Sequence, residues 1–216
     1  MILVKICGIT NLADARAASE AGANLLGFNF YEKSLRRVST VDAANIRAKL
    51  PNNVDAVGIF VNAKVADIVS LRAFVRYGSA QLHGDETAAV VKKVAESMPV
   101  IKAFRVGADF AMSKFEEYPG AFAFLLDAAQ AGQYGGTGRT TDWGFAERAA
   151  RGRRIILAGG LKVENVAEAI RVVKPYAVDV ASGVEAKPGK KDHGKMKEFI
   201  EEVRRAEREL EAGLSG

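Results

Sequence analysis

The 216-residue chain is poor in reactive and structure-locking residues: one cysteine, two histidines, one tryptophan and five prolines. A single cysteine excludes an intrachain disulfide and a cysteine-rich metal site, and it fits a reducing cytoplasm. The histidines, His83 and His193, stand too far apart for a zinc-type spacing. No apolar run approaches the ~20 residues that span a membrane, so no membrane partner is expected. Residues 2–6 are already strand-like, so no signal peptide is expected ahead of the fold. A dominant charge is also missing. Thirty-one basic and 26 acidic residues leave +5, with the basic ones scattered among Glu and Asp. No aromatic-interleaved basic stripe forms, and the densest cluster, 187–195, reads as a loop. A solvated surface is expected rather than a nucleic-acid groove, with a modest positive field that would attract an anionic metabolite.

What the chain does have is rhythm. Short Val/Ile/Leu/Phe runs at 2–6, 25–30, 54–61, 79–82, 100–104, 122–126, 154–157 and 177–180 read as strands. Helical patterns follow them at 12–21, 41–50, 65–77, 86–97, 110–117, 143–150, 163–173 and 192–212. Near-continuous apolar strands with helical crossovers imply a parallel sheet covered by helices. Eight such pairs in 216 residues fit one closed α/β (β/α)8 barrel, a single domain over 1–216, better than an open sheet of five or six strands.

In such a barrel, chemistry gathers just after the strands. Cys7 ends the first run, Gly8 breaks it, and Thr10 and Asn11 stand ready to cap the next helix. Alternation points Cys7 the same way as Lys5 and Leu3, so thiol and ammonium share a side. A cation and a helix N-terminus both favour thiolate, from an unperturbed pKa of about 8.5. A buried, inert cysteine is the plain alternative. After the other strands come Asn29, Asn62, His83 to Glu86, Arg105, Asp127, and two glycine-rich turns. Those turns, with Gly159 and Gly160 after strand seven and Ser182 and Gly183 after strand eight, sit where barrels often bind phosphate through backbone N–H groups. The insertion 128–142, carrying four glycines, reads as a mobile lid, a spacer being the alternative.

Taken together, Lys5-Ile6-Cys7-Gly8-Ile9-Thr10, Gln81-Leu82-His83-Gly84-Asp85-Glu86, Leu126-Asp127, Gly135-Gly136-Thr137-Gly138, Asp142-Trp143, Leu157-Ala158-Gly159-Gly160-Leu161 and Ser182-Gly183-Val184-Glu185 resemble, in order, the motifs of the phosphoribosylanthranilate isomerase family. The resemblance implies an Amadori rearrangement of N-(5-phosphoribosyl)anthranilate in tryptophan biosynthesis, with no cofactor and no metal. By the family pattern Asp127 is the acid that protonates the ribose ring oxygen, Cys7 the base that removes the C2 proton, and Arg36 the grip on the anthranilate carboxylate. Gly159, Gly160, Ser182 and Gly183 would hold the phosphate. An acid must stay protonated, so Asp127 would need an apolar surround, which residues 122–126 offer. The partner is a small phosphorylated substrate; the oligomeric state, monomer or homodimer, is open.

The pattern is broken at three places. Arg37 stands where an aromatic residue is common, Thr141 where Phe is usual, and Ala181 where Ser is frequent. His83 is read as structural or as a site wall. Two other phosphate-binding barrels compete: ribulose-phosphate 3-epimerase wants metal-binding His and Asp residues, and indole-glycerol-phosphate synthase catalytic Lys and Glu residues on barrel strands, for which Lys5 and Lys102 are the lysine candidates. A silent metabolite-binding barrel is the remaining alternative.

Overall fold

The computed structural model describes residues 1–107, 109–128 and 142–213. Eight parallel strands close into a barrel in sequence order: β1 (Leu3–Cys7), β2 (Leu25–Asn29), β3 (Asp55–Phe60), β4 (Ser79–Leu82), β5 (Val100–Val106), β6 (Ala123–Ala128), β7 (Ile155–Leu157) and β8 (Ala177–Val180). The helices α1 (Leu12–Glu20), α2 (Thr40–Arg47), α3 (Val65–Val75), α4 (Ala88–Ala95), α5 (Trp143–Ala150), α6 (Val163–Val173) and α7 (His193–Gly213) lie between or after them. A two-stranded hairpin, β9 (Glu185–Lys187) and β10 (Lys190–Lys191), follows β8.

Local chemistry sets several boundaries. Asn11, Ser39, Thr87 and Asp142 each accept a backbone N–H three residues on, which starts α1, α2, α4 and α5. Arg76 and Lys174 turn left-handed and end α3 and α6. Where a helix was expected over 110–117 there is a 3-10 turn, Met112–Glu117. Pro119 removes an N–H and bars Tyr118 from the helical region, so the segment never gains a second α-turn. Glu86, expected to open α4, is instead buried against Lys102, and the helix waits for Thr87.

Strand alternation divides the interior into two cores. Val4, Ile6, Leu26, Phe28, Phe104, Phe124 and Leu126 face the helices in the larger one. Inside the barrel the apolar layer is small: Val57, Ile101, Ala103, Ala123, Leu125, Ile156, Ala158 and Ala177, with Leu3 and Leu25 beside them. Above it, towards the strand C-termini, the inward positions become polar: Lys5, Cys7, Gln81, His83, Asp127 and Asp179. Such groups are tolerable in a low-dielectric interior only when paired. Lys5 and Asp179 are aligned partners on neighbouring strands and bond at 2.7 Å, with side chains 0% and 9% exposed. Removing one partner of a buried pair costs about 3–5 kcal/mol. We therefore expect Lys5→Met to lower the urea midpoint at unchanged slope; a midpoint equal to wild type would show that the pair adds nothing to stability.

Candidate active site

Cys7 closes β1 at the barrel mouth, facing Gly27 of β2 in register. The carbonyl of Gly27 accepts from both Gly8 and Ile9 at 3.0 Å, which turns the chain out of the strand towards α1. The environment of the thiol differs from the sequence expectation of a favoured thiolate. Burial, reinforced by the Asp179 carboxylate, pushes the Cys7 thiol above its ordinary range against the opposing pull of Lys5 and Lys191. Burial is the larger cause; the Lys5 ammonium still draws the thiol down, but it is shared with Asp179, which it bonds directly. Burial alone would lower Lys5, but Asp179 and Cys7 beside it hold it raised.

Asp127 stands on β6, three strands from β1 around the barrel by way of β8 and β7, and it is 4% exposed. Its aligned neighbour on β5 is Arg105, and its Oδ2 lies 3.7 Å from His83 Nε2. The apolar surround expected from 122–126 is only partly beside it. Alternation sends Phe124 and Leu126 to the helix side, leaving Ala123 and Leu125 on the barrel side. Asp127 shares a cleft with Asp179, Ala181, Ser182 and the turn Ala158 to Leu161.

Arg36 lies over Gly8, whose φ of +77° and missing Cβ both matter. A methyl there would stand 2.6 Å from Arg36 Cδ. The Arg36 fork is held from one side, with Nε and Nη2 donating to the two Glu185 oxygens at 2.8 and 2.7 Å. Burial alone would raise Glu185, but Arg36 and Lys191 hold its carboxyl below the usual range. Lys191 donates to Glu185 Oε1 and to the Ala181 carbonyl, both at 3.0 Å. The outer edge of the guanidinium, Nη1 and the second Nη2 hydrogen, is left for another acceptor. Arg37 instead points outward, 54% exposed and 4.0 Å from Glu32.

The two glycine-rich turns meet at the mouth. Gly183 approaches so closely that a Cβ would stand 2.0 Å from the Leu161 carbonyl oxygen, an overlap only glycine avoids. Asn165 fixes the first turn, donating to the Gly160 carbonyl and accepting from Lys162 N, each at 2.9 Å. Among the described residues nothing accepts from the N–H groups of Gly159, Gly160, Ser182 or Gly183. Four such donors on converging turns suit an anion with several oxygens.

Lys102 is the residue that sequence alone left undecided. Alternation turns it out of the barrel, where it bonds Glu86 at 2.8 Å and the Gly84 carbonyl at 2.7 Å, so its ammonium braces the β4 turn from behind. The insertion read as a lid, including Thr141, falls almost wholly outside the described residues. Among the described residues no group of three His, Cys, Asp or Glu could hold a metal. The bracing pair Glu185 and Lys191 was given no role from sequence: Glu185 ends a quoted motif, and Lys191 lies inside the stretch 187–195 read as a basic loop.

A (β/α)8 barrel that brings a thiol, a carboxyl, a guanidinium and unsatisfied backbone donors to its C-terminal mouth is the framework of an acid–base enzyme for a phosphorylated, anionic substrate. Comparison with known proteins narrows the class. The family model for N-(5'-phosphoribosyl)anthranilate isomerase matches residues 4–202. The Trichlorobacter lovleyi N-(5'-phosphoribosyl)anthranilate isomerase is 48% identical over 207 residues, 95% of this chain and all of that relative. The Thermotoga maritima enzyme structure aligns with a TM-score of 0.89 at 43% identity, covering 95% of this chain and 100% of that one. Another, a phosphoribosyl anthranilate isomerase in complex with reduced 1-(o-carboxyphenylamino)-1-deoxyribulose 5-phosphate, aligns at 0.86 and 42%, with coverage of 95% and 100%. The chain belongs to the N-(5'-phosphoribosyl)anthranilate isomerase family and is an aldose–ketose isomerase of tryptophan biosynthesis.

Proposed function

We infer that this chain converts N-(5-phosphoribosyl)anthranilate to 1-(o-carboxyphenylamino)-1-deoxyribulose 5-phosphate with Asp127 as general acid and Cys7 as general base. The observation that supports this reading is that the two groups end β1 and β6, three strands apart around the mouth of one closed barrel. The Asp127 carboxyl gives its proton to the ribose ring oxygen as the C1–O bond breaks and the nitrogen lone pair closes a protonated imine, C1=N–H⁺, with the negative charge left on Asp127. The Cys7 thiolate then takes the C2 proton, and the enolamine formed becomes the ketone. One acid and one base suffice. Gly159, Gly160, Ser182 and Gly183 receive the phosphate through their N–H groups. Mixing the enzyme with freshly prepared substrate should abolish its anthranilate fluorescence; binding without that loss would make the barrel a silent metabolite carrier.

Arg36 takes the anthranilate carboxylate on the outer edge of its fork, while Glu185 holds the inner edge. A charge-assisted pair contributes about 1.5–3 kcal/mol, or roughly 10–150-fold in affinity. Arg36→Met should raise KM by that factor, and Arg37→Met should leave it nearly unchanged. A substrate analogue without the carboxylate supplies the control, since its binding should not respond to Arg36→Met. Damage from Arg37→Met instead would mean that the β2–α2 loop turns a different side chain to the substrate.

The whole chain acts in this reading as one catalytic unit in the cytoplasm. Its partner is the small phosphorylated molecule rather than nucleic acid, and it works as a monomer or homodimer. The scattered charge supports this, and among the described residues no helix is long and apolar enough to cross a membrane.

A further inference from the structure

Gln81 and His83 share the inward face at the end of β4, two residues apart. Gln81 is 1% exposed, and its Nε2 lies 2.9 Å from His83 Nδ1. With the amide turned this way its NH2 donates and Nδ1 is the bare nitrogen, which leaves Gln81 Oε1, among the described residues, buried without a hydrogen-bond partner. The other ring nitrogen, Nε2, is buried without a hydrogen-bond partner and points at Asp127 Oδ2 from 3.7 Å. That separation is too long for a hydrogen bond and shorter than a water-filled gap.

The backbone around His83 is pinned on both sides. Lys102 donates to the Leu82 and Gly84 carbonyls at 3.3 and 2.7 Å. Glu86 accepts from Gly84 N at 3.1 and 3.0 Å and from Asn62 N at 2.9 Å. The charged groups that act on the ring are Lys5 from β1 and Lys102 and Arg105 from β5, with Asp127 from β6 beside Nε2. Burial first, then Lys5, Lys102 and Arg105, push the imidazole pKa down to about 3, which favours the neutral ring.

We propose that Gln81 fixes His83 as the neutral tautomer protonated on Nε2, and that this N–H closes onto the Asp127 carboxylate as Asp127 delivers its proton. The inference rests on Asp127 being the acid. When the C1–O bond breaks, its electrons stay on the ring oxygen, which takes the Asp127 proton, and the negative charge remains on Asp127. His83 transfers nothing. Its N–H bonds a carboxylate more strongly than a neutral carboxyl, so the contact strengthens only as the proton leaves, which lowers the barrier rather than tightening substrate binding. Catalytic hydrogen bonds that are long in the free enzyme and tighten during reaction are the usual pattern. His83 is thus a positioning residue that acts through Asp127.

Labelling the full chain with [15N]histidine gives two ring systems, and His83→Gln assigns them. The expected spectrum shows a protonated Nε2 and a bare Nδ1 on His83, unchanged from pH 8 to 5. A proton on Nδ1, or a charged ring at pH 7, overturns the proposal whatever the kinetics do. His83→Leu should lower kcat about tenfold to a hundredfold with KM within threefold. It should also move the alkaline limb of the kcat profile to higher pH, because Asp127 loses a donor that favours its carboxylate. His83→Gln, which offers an N–H near the same place, should restore most of the rate. Gln81→Glu should be as damaging as His83→Leu, because a carboxylate draws the proton to Nδ1 or charges the ring. Wild-type kcat in His83→Leu, or loss without the pH shift, sinks the idea. If His83→Leu does not fold, Gln81→Glu and the spectrum decide. Asp127→Asn separates the two levels: full turnover there would remove the acid itself, whereas collapse there beside a silent His83→Leu would remove only this inference.

Discussion

Replacing Asp127 by asparagine should lower kcat by at least about 10²–10⁴-fold while substrate still binds within a few-fold of wild type. The two side chains have nearly the same shape, but the amide has no acidic proton to hand to the ring oxygen. Expulsion of an unprotonated alkoxide from C1 is the step that then becomes slow. The surroundings should tolerate the change, since Asp127 is enclosed by the small turn Ala158 to Leu161, the Ala123 and Leu125 layer and the neutral His83 ring. Single-turnover fluorescence separates chemistry from binding, and titration with a non-reactive product analogue measures affinity alone. Lost affinity with an unchanged rate constant for the bound complex would reduce Asp127 to a contact residue.

The barrel was legible because its strands are buried on both faces and therefore read as short unbroken apolar runs. β4 and β8 begin and end where the sequence placed them, and α5 and α6 do so too. The ends were less legible where a side chain had a tertiary task. Glu86 looks like a first-turn helix acid, but its carboxylate is needed to hold the β4 turn and neutralise Lys102. The hairpin β9–β10 was hidden because its residues are mostly charged, and its purpose is to carry Glu185 and Lys191 beneath Arg36 rather than to bury apolar surface.

Candidate positions followed from alternation once the strands were in place. Parity puts Lys5 with Cys7, and closure of the barrel sets β1 beside β8, where Asp179 is the aligned partner of Lys5. Their electrical consequence was not legible. A lysine two residues from a cysteine suggests a lowered thiol pKa, yet charge acts through space, and Asp179 sits between the ammonium and any free influence it would have. The same limit applies to His83. Its type and spacing from Gln81 are plain in the sequence, but the direction of its Nε2 towards Asp127 is a property of the closed barrel.

Cys7→Ala should produce a loss comparable to that of Asp127→Asn, about 10²–10⁴-fold in kcat, and Cys7→Ser should rescue little because an alkoxide is far harder to form than a thiolate. The raised thiol adds a sharper test. A base held mostly as thiol must ionise before it can act, so kcat/KM should still be climbing with pH above about 8.5, the ordinary thiol value, and alkylation of Cys7 by iodoacetamide should lag behind that of a free thiol at equal pH. Once ionised, the same thiolate is a stronger base, which is the compensation for its low population. Asp179→Asn should shift the balance towards thiolate without removing the effect of burial, since it takes away the carboxylate that opposes ionisation and frees the Lys5 charge; Cys7 should then alkylate faster at a fixed pH, even though the fold is weakened. Substrate should protect the thiol in both proteins. Equal alkylation rates in wild type and Asp179→Asn would show that Asp179 does not govern the thiol, and Cys7→Ala activity within tenfold of wild type would assign proton abstraction to another group.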